Sequence, residues 1–160
     1  MNDPSQAAKE VMVHASRLAL YARQWLTDGH VEDVVQEALA ALLSQRKCPD
    51  DPVAWMYAAV RNGAIDRLRA GARRRKREER VASERREWFD DSVESALDAQ
   101  TAQAALEKLP RELREIVVLR IWGGLGFVEI ARIAQVSVGT AHQRFGEALK
   151  QMRTLLHVNK

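Results

Sequence analysis

The chain has 160 residues, of which 46% are hydrophobic, so it can bury one ordinary core or two small ones. It contains no apolar run of about 18 residues or more, so we expect no membrane span, and its first residues lack the pattern of a secretory signal. The formal net charge is +3, and the single cysteine, Cys48, cannot form an internal disulfide, which fits a reducing cytoplasm.

The charge is distributed unevenly along the chain. Residues 1–60 carry a net charge of −3 and residues 61–89 carry +6, whereas residues 90–110 carry −4 and residues 111–160 carry +4. Two basic blocks separated by an acidic one are typical of two contacts with a polyanion, joined by a segment that avoids such contact.

The first half of the chain predicts three helices. Apolar residues at helical spacing predict one helix from Ala7 to Leu26 and a second from Val31 to Gln45. Two prolines make 48–52 a loop, because proline breaks a helix interior. A third helix then starts with Asp51 as its N-cap and Pro52 at its first position.

Aromatic residues and cations follow each other along the third helix, where Trp55 and Tyr57 precede a basic block. Such a mixture suits single-stranded nucleic acid, because bases stack on rings while arginines hold the backbone. The usual alternative is a solvated charged helix, and Trp55 taken alone fits a core residue better than a stacking one. The basic block comprises Arg61, Asn62, Arg67, Arg69, Arg73 and Arg74.

The highly charged segment 72–98 is interpreted as a flexible linker between two small helical domains, 7–71 and 99–156. No alternating apolar run predicts a strand, so the fold class is all-α. In the second domain, Leu109–Pro110 opens a helix that runs through Ile121 and is followed by a glycine-rich turn.

The rest of the second domain has helix-turn-helix form. Phe127–Ala134 is a short helix, a three-residue turn follows, and Ser137 caps a final helix through about Arg153. Polar residues near the start of that helix lie where a recognition helix meets base edges and phosphates. The alternative is an ordinary helical hairpin with solvated polar residues. The inward residues are predicted to be Ile130, Ala134, Val136, Val138, Ala141 and Phe145, with the small Ala131 where the helices approach.

These motifs together resemble the extracytoplasmic-function class of bacterial RNA polymerase sigma factors. Region two of that family is similar to Asp33–Leu39 and Trp55–Arg69, and region four is similar to Leu109–Arg120 and Gly124–Ala141. The similarity covers nearly the whole chain apart from the linker. Two independent motifs in the same order and at the same spacing make it specific.

The resemblance implies three sets of contact residues. The polymerase-binding set faces the clamp helices of the large polymerase subunit: Asp33, Gln36, Glu37 and Leu39. The minus-ten set holds and helps to read the unpaired promoter element: Lys47, Asp50, Trp55, Arg61, Asn62, Arg67 and Arg69. The minus-thirty-five set reads duplex DNA: Ser137, Gly139, Thr140, His142, Gln143 and Arg144.

The resemblance also implies the partners. These are core RNA polymerase through its clamp helices and flap, promoter DNA in double- and single-stranded form, and an anti-sigma factor, with no membrane and no cofactor. The chain departs from the family pattern at Gly126, where many relatives have a capping Ser or Thr, and at His142, a position that is often lysine.

Two other classes of protein share some of these features. A stand-alone helix-turn-helix regulator explains the C-terminal third but leaves the acidic pattern from Asp33 to Glu37 unused, and it would bind symmetric duplex sites as a dimer. An enzyme acting on nucleic acid needs a nucleophile with its base, or a metal. The histidines are scattered and none lies near Cys48 in sequence, so we expect neither catalytic residues nor a metal site.

Overall fold

A computed structural model of the chain describes residues 3–26, 29–75, 88–89 and 96–158. These residues contain helices and no strand, which confirms the all-α prediction. They divide into two compact units, 1–86 and 87–160. Within the described part of the chain, no helix is both long and apolar enough to cross a membrane.

The described residues of the first unit contain four helices where three were predicted. The helix expected from Ala7 to Leu26 is interrupted at Val13 and His14, and the N–H of His14 donates to the carbonyl of Val11. Both pieces pack against the two later helices, so the apolar pattern continues across the break and periodicity alone does not reveal it. The helices are α1 (Pro4–Met12), α2 (Ala15–Arg23), α3 (Val31–Leu43) and α4 (Pro52–Arg75).

Local capping rules place the start of α4 correctly. The Ala54 N–H donates to Oδ1 of Asp51 at 2.9 Å, so Asp51 caps the helix as predicted. The helix continues to Arg75 and therefore includes the first residues of the expected linker, because arginine has a high helix propensity. Helix α3 ends at Leu43, two residues earlier than predicted, and the hydroxyl of Ser44 donates to the Ala41 carbonyl.

Tyr57 is a core residue of the first unit and is fully buried. Its ring contacts that of Tyr21 edge-on, with centroids 5.4 Å apart. Tyr57 therefore cannot stack on a nucleic-acid base, and its interpretation as part of the stacking surface is wrong. The apolar face of α4 turns Tyr57 inward, whereas Trp55, two residues earlier, is half-buried.

The buried hydroxyl of Tyr57 has no hydrogen-bond partner among the described residues. Burial raises the pKa of the Tyr57 phenol well above its ordinary value, an effect that Arg17 partly offsets. The fold therefore loses stability as the pH rises above about 10, because the unfolded phenol ionises there while the folded one remains neutral.

We predict that Tyr57→Phe raises the free energy of unfolding by about 1 kcal/mol, because it removes an unpaired buried hydroxyl. The variant should also lose less stability than the wild type above pH about 10. Urea unfolding between pH 7 and 11 measures both effects. Tyr21→Phe is the matched control, since Tyr21 is equally buried but is not without a partner, and it should not stabilise. A destabilised Tyr57→Phe variant would contradict the prediction.

The second unit packs around a core that includes Leu106, Ile116, Leu119 and Ile130, all of them fully buried. The helix predicted to run through Ile121 changes to π-helical geometry in its last turn. The final helix continues beyond the predicted end at about Arg153. The helices are α5 (Ala96–Lys108), α6 (Arg111–Val117), a π-helical turn (Val118–Trp122), α7 (Phe127–Ala134) and α8 (Val138–Val158).

Two aromatic residues of the expected linker pack against the second unit. The backbone N–H of Trp88 donates to Oε1 of Gln103 at 2.8 Å, and the Arg114 guanidinium lies 5.1 Å from the centroid of a Trp88 ring. The ring of Phe89 lies 5.5 Å from that of Trp122. The interpretation of all of 72–98 as flexible linker therefore needs correction at these two residues, because burial of apolar surface away from water is favourable.

Arg114 is half-buried next to the Trp88 ring. Burial lowers the pKa of the Arg114 guanidinium, and the charge of Arg111 lowers it further, while Glu107 raises it. The Trp88 ring supplies favourable cation–π electrostatics at this site.

We predict that Trp88→Ala lowers the free energy of unfolding of the second unit by about 1–2 kcal/mol, through lost apolar contact and cation–π attraction. Trp88→Phe, which keeps a ring over Arg114, should lose less than half of that. Hydrogen exchange of the α6 amides in the full chain reports the second unit, and exchange of the α3 amides is the internal control. Unchanged α6 protection in Trp88→Ala would mean that the contact contributes no stability.

Candidate protein and nucleic-acid interfaces

One face of α3 is buried and the other presents carboxylates. Val34, Ala38 and Leu42 are buried at helical spacing. The polymerase-binding set lies on the remaining surface, where Leu39 is half-buried and the other three residues are exposed: Asp33, Gln36 and Glu37.

Arg67 of α4 joins the α3 carboxylates in an ion-pair cluster. Its guanidinium pairs with Glu37 through Nη2 and lies 3.8 Å from Oδ2 of Asp33 through Nη1. Nη1 also lies 3.4 Å from Nδ1 of His30. The Arg67 side chain is 26% exposed, whereas those of Asp33 and Glu37 are 57% and 67% exposed. Both carboxylates therefore remain accessible to a partner while Arg67 is largely covered.

The cluster brings together residues that were assigned to different sets. Arg67 was expected to hold the minus-ten element, and the carboxylates were expected to bind the polymerase. The i, i+4 spacing of Asp33 and Glu37 could have shown that they share a helix face. Nothing in sequence pairs either of them with an arginine 30 or more positions away.

The other α4 residues of the minus-ten set divide between two environments. Asn62 and Arg69 are exposed, and their separation of seven residues places them on one face of the helix. Arg61 is half-buried, with its guanidinium 5.4 Å from the centroid of a Trp25 ring just after α2. The loop residues Lys47 and Asp50 are exposed. An exposed cation and amide on one face can hold a phosphate backbone.

The helix-turn-helix pattern is confirmed in the second unit. The turn between α7 and α8 contains Gln135 at φ 58°, a left-handed conformation that ends α7. Ile130, Ala134 and Ala141 are buried as predicted, and Ala131 is 5% exposed. Val136 and Phe145 are half-buried.

Val138 was predicted to face inward, and that prediction is wrong because its side chain is 40% exposed. It is the first residue of α8, directly after the capping residue. Ser137 does cap α8, since its Oγ accepts from the Thr140 N–H at 3.0 Å. The same Oγ also lies 2.8 Å from the Thr140 hydroxyl, so these two residues of the minus-thirty-five set bond to each other.

The remaining minus-thirty-five residues lie in the first two turns of α8. Gly139, His142 and Gln143 are exposed, and Arg144 is half-buried. The imidazole of His142 stacks on the ring of Phe127, the first residue of α7. Sequence reasoning treated Phe127 only as the start of a helix and missed this contact. Within the part of the chain that the structure describes, no group of acidic, histidine or cysteine side chains could hold a metal ion.

Comparison with known proteins assigns both units. The family model described as Sigma-70 region 2 matches residues 11–74, and the model described as Sigma-70, region 4 matches residues 99–152. An extracytoplasmic-function RNA polymerase sigma factor of Streptomyces griseus, ShbA, is 32% identical, with 94% of this chain and 88% of that protein covered. The chain belongs to the extracytoplasmic-function sigma factors. It therefore acts in promoter-directed initiation of transcription.

Other relatives agree with the assignment. The sigma factor EcfG of Rhodopseudomonas palustris is 30% identical, over 82% of this chain and 72% of its own length. The fold is similar to that of the sigma factor RpoE of Bartonella quintana, with a TM-score of 0.74 at 21% identity, over 95% of this chain and 97% of that one. A region 2 match over 11–74 removes the stand-alone regulator from consideration, because that alternative leaves the first unit without a function.

Proposed function

We propose that this sigma factor binds core RNA polymerase through the exposed face of α3, reads the minus-thirty-five element with the start of α8, and captures the unpaired minus-ten element with α4 and the loop before it. One observation carries the proposal. Every polar residue of the three predicted sets is exposed or half-exposed, while the apolar residues between them form the cores of the two units.

The proposed mechanism involves binding steps and no covalent chemistry. The second unit positions the polymerase through duplex contacts upstream. The first unit then offsets the cost of unstacking, a few kcal/mol per base step, by holding extruded non-template bases. We place the polymerase and minus-ten functions in 7–71 and the minus-thirty-five function in 99–156. On this proposal the protein needs no cofactor and works in the bacterial cytoplasm.

The ion pairs of Arg67 with Asp33 and Glu37 limit its part in binding the minus-ten strand. A cation already paired with two carboxylates attracts a phosphate less strongly than a solvated one. Asn62 and Arg69, which are exposed on one face of α4, are therefore the primary contacts to the minus-ten strand in our proposal. Arg67 supports the acidic face of α3.

An anti-sigma factor is proposed as a further partner. The sigma factor of Bartonella quintana with a similar fold was solved in complex with the anti-sigma factor NepR. The same two-unit architecture in this chain supports a regulator of this kind, which would occlude one or more of the three contact sets.

The proposal is tested by transcription with purified core RNA polymerase, with and without this protein, on templates whose upstream sequence is randomised. We expect transcripts only in its presence, starting downstream of a shared two-part motif. Binding of duplex DNA without binding to core polymerase and without transcripts would overturn the proposal. Asn62→Ala with Arg69→Ala should abolish open-complex formation on a duplex promoter. It should weaken binding less on a template with a pre-melted minus-ten segment, because no melting cost has to be offset there.

A further inference from the structure

The imidazole of His142 is held against an aromatic ring although it is exposed to solvent. Its centroid lies 3.7 Å from that of Phe127, and the two rings are inclined by 29°. Phe127 also contacts Phe145 of α8 edge-on, with centroids 5.5 Å apart. Phe127 therefore packs against the helix that carries His142. We call its ring the platform on which the imidazole stacks.

A guanidinium lies on the same platform. The Cζ atom of Arg120 is 4.9 Å from the centroid of the Phe127 ring. Its Nη1 donates to the Leu125 carbonyl at 2.8 Å, so the backbone of the glycine-rich turn holds the guanidinium. Arg120 belongs to the π-helical turn and His142 to α8, so Phe127 connects side chains from two separate elements.

A stacked side chain meets DNA differently from a free one. A long flexible cation follows the phosphates, and phosphate contacts position a protein without reading sequence. A ring already restricted in its rotamers loses little entropy when it binds, and its N–H points in a defined direction. Such a donor can discriminate between base edges by position, because the acceptors N7 and O6 of guanine, N7 of adenine and O4 of thymine lie at different places in the major groove.

We propose that His142 is a specificity-determining residue that donates to a purine edge in the minus-thirty-five element, with Phe127 and Arg120 as positioning residues. The proposal rests on the proposed function, because it requires α8 to enter the major groove of promoter DNA. It goes further by assigning base reading to His142 and by giving Phe127 and Arg120 a part in recognition.

The test is selection of duplex DNA by the full chain in complex with core polymerase, from a library randomised across the minus-thirty-five element. We compare the wild type with His142→Ala, Phe127→Leu and Phe127→Tyr. His142→Ala should reduce the preference for purine at one position roughly five- to tenfold and leave the other positions unchanged. Phe127→Leu should reduce it at that same position, and Phe127→Tyr, which keeps the ring, should retain it.

Combination of the changes separates positioning from packing. The double variant His142→Ala with Phe127→Leu should show the same base preference as His142→Ala alone, because Phe127 acts on recognition through the imidazole. The proposal is overturned if His142→Ala weakens binding to all sequences alike and lowers the slope of log K against log salt concentration by about one, which is the signature of a phosphate contact. It is also overturned if a folded Phe127→Leu variant keeps the wild-type preference.

Failure of the proposed function has a different signature, since the wild type itself would then select no motif. If Phe127→Leu unfolds, as circular dichroism would show, His142→Ala still decides whether the imidazole reads a base. Arg120→Gln then tests the platform, with a partial loss of preference at the same position as the expected result. An unchanged preference in Arg120→Gln would remove Arg120 from the proposal.

Discussion

Glu37→Arg should weaken the binding of core RNA polymerase at least tenfold. The substitution removes a carboxylate that is 67% exposed on α3 and places a cation beside Arg67. Loss of a partner contact and introduction of a like charge act in the same direction, and each wrong charge at an interface costs on the order of 1 kcal/mol or more. Titration of labelled core polymerase with the full chain measures the effect.

The charge-swapped double variant, Glu37→Arg with Arg67→Glu, tests whether Glu37 acts through its ion pair with Arg67 or through contact with the polymerase. It restores an ion pair between α3 and α4 but leaves the wrong charge on the polymerase-facing surface. We expect the free energy of unfolding to return to within about 1 kcal/mol of the wild-type value, because the Glu37 side of the pair is exposed to solvent. Polymerase binding should stay weak.

A matched control comes from α1 of the same unit. Glu10 is exposed, so Glu10→Arg makes the same change in net charge away from α3, and it should leave polymerase binding within about twofold of wild type. Full recovery of polymerase binding in the swapped variant would show that Glu37 acts only within the chain. The proposed part of Asp33, Gln36 and Glu37 in binding polymerase would then be wrong.

Ile130→Ala should lower the free energy of unfolding of the second unit by about 3 kcal/mol. Ile130 is fully buried on α7, which packs against α8, and truncation of such a side chain leaves a cavity that its neighbours fill only partly. A unit of this size has a total stability of about 4–10 kcal/mol, so the variant should also bind the minus-thirty-five element poorly at 37 °C.

The effect of Ile130→Ala should be confined to one unit. Hydrogen exchange should accelerate in α6 and α8 while the α3 amides keep their protection, because the two units have separate cores. Leu18→Ala, at an equally buried position of the first unit, should show the opposite pattern. Ile130→Val should cost only about 1 kcal/mol. Equal acceleration in both units would mean that they unfold together.

Local rules recovered much of the architecture from sequence. The caps at Asp51 and Ser137 were predicted from residue type and position, since each side-chain oxygen accepts from an N–H three residues later on the same short stretch of backbone. The helix-turn-helix followed from the spacing of Ile130, Ala134 and Ala141. The break at Val13–His14 was missed because apolar residues continue on both sides of it.

The sequence by itself determined the helical class, the division into two units and the resemblance to the family. These depend on short-range periodicity, capping and motif spacing, all of which act within a few residues. Only the tertiary structure decided that Arg67 pairs with Asp33 and Glu37, that Tyr57 is buried, that Trp88 packs over Arg114 and that Phe127 supports His142. Periodicity shows which side of a helix faces the core, but the packing of elements distant in sequence selects the residue that each side chain meets.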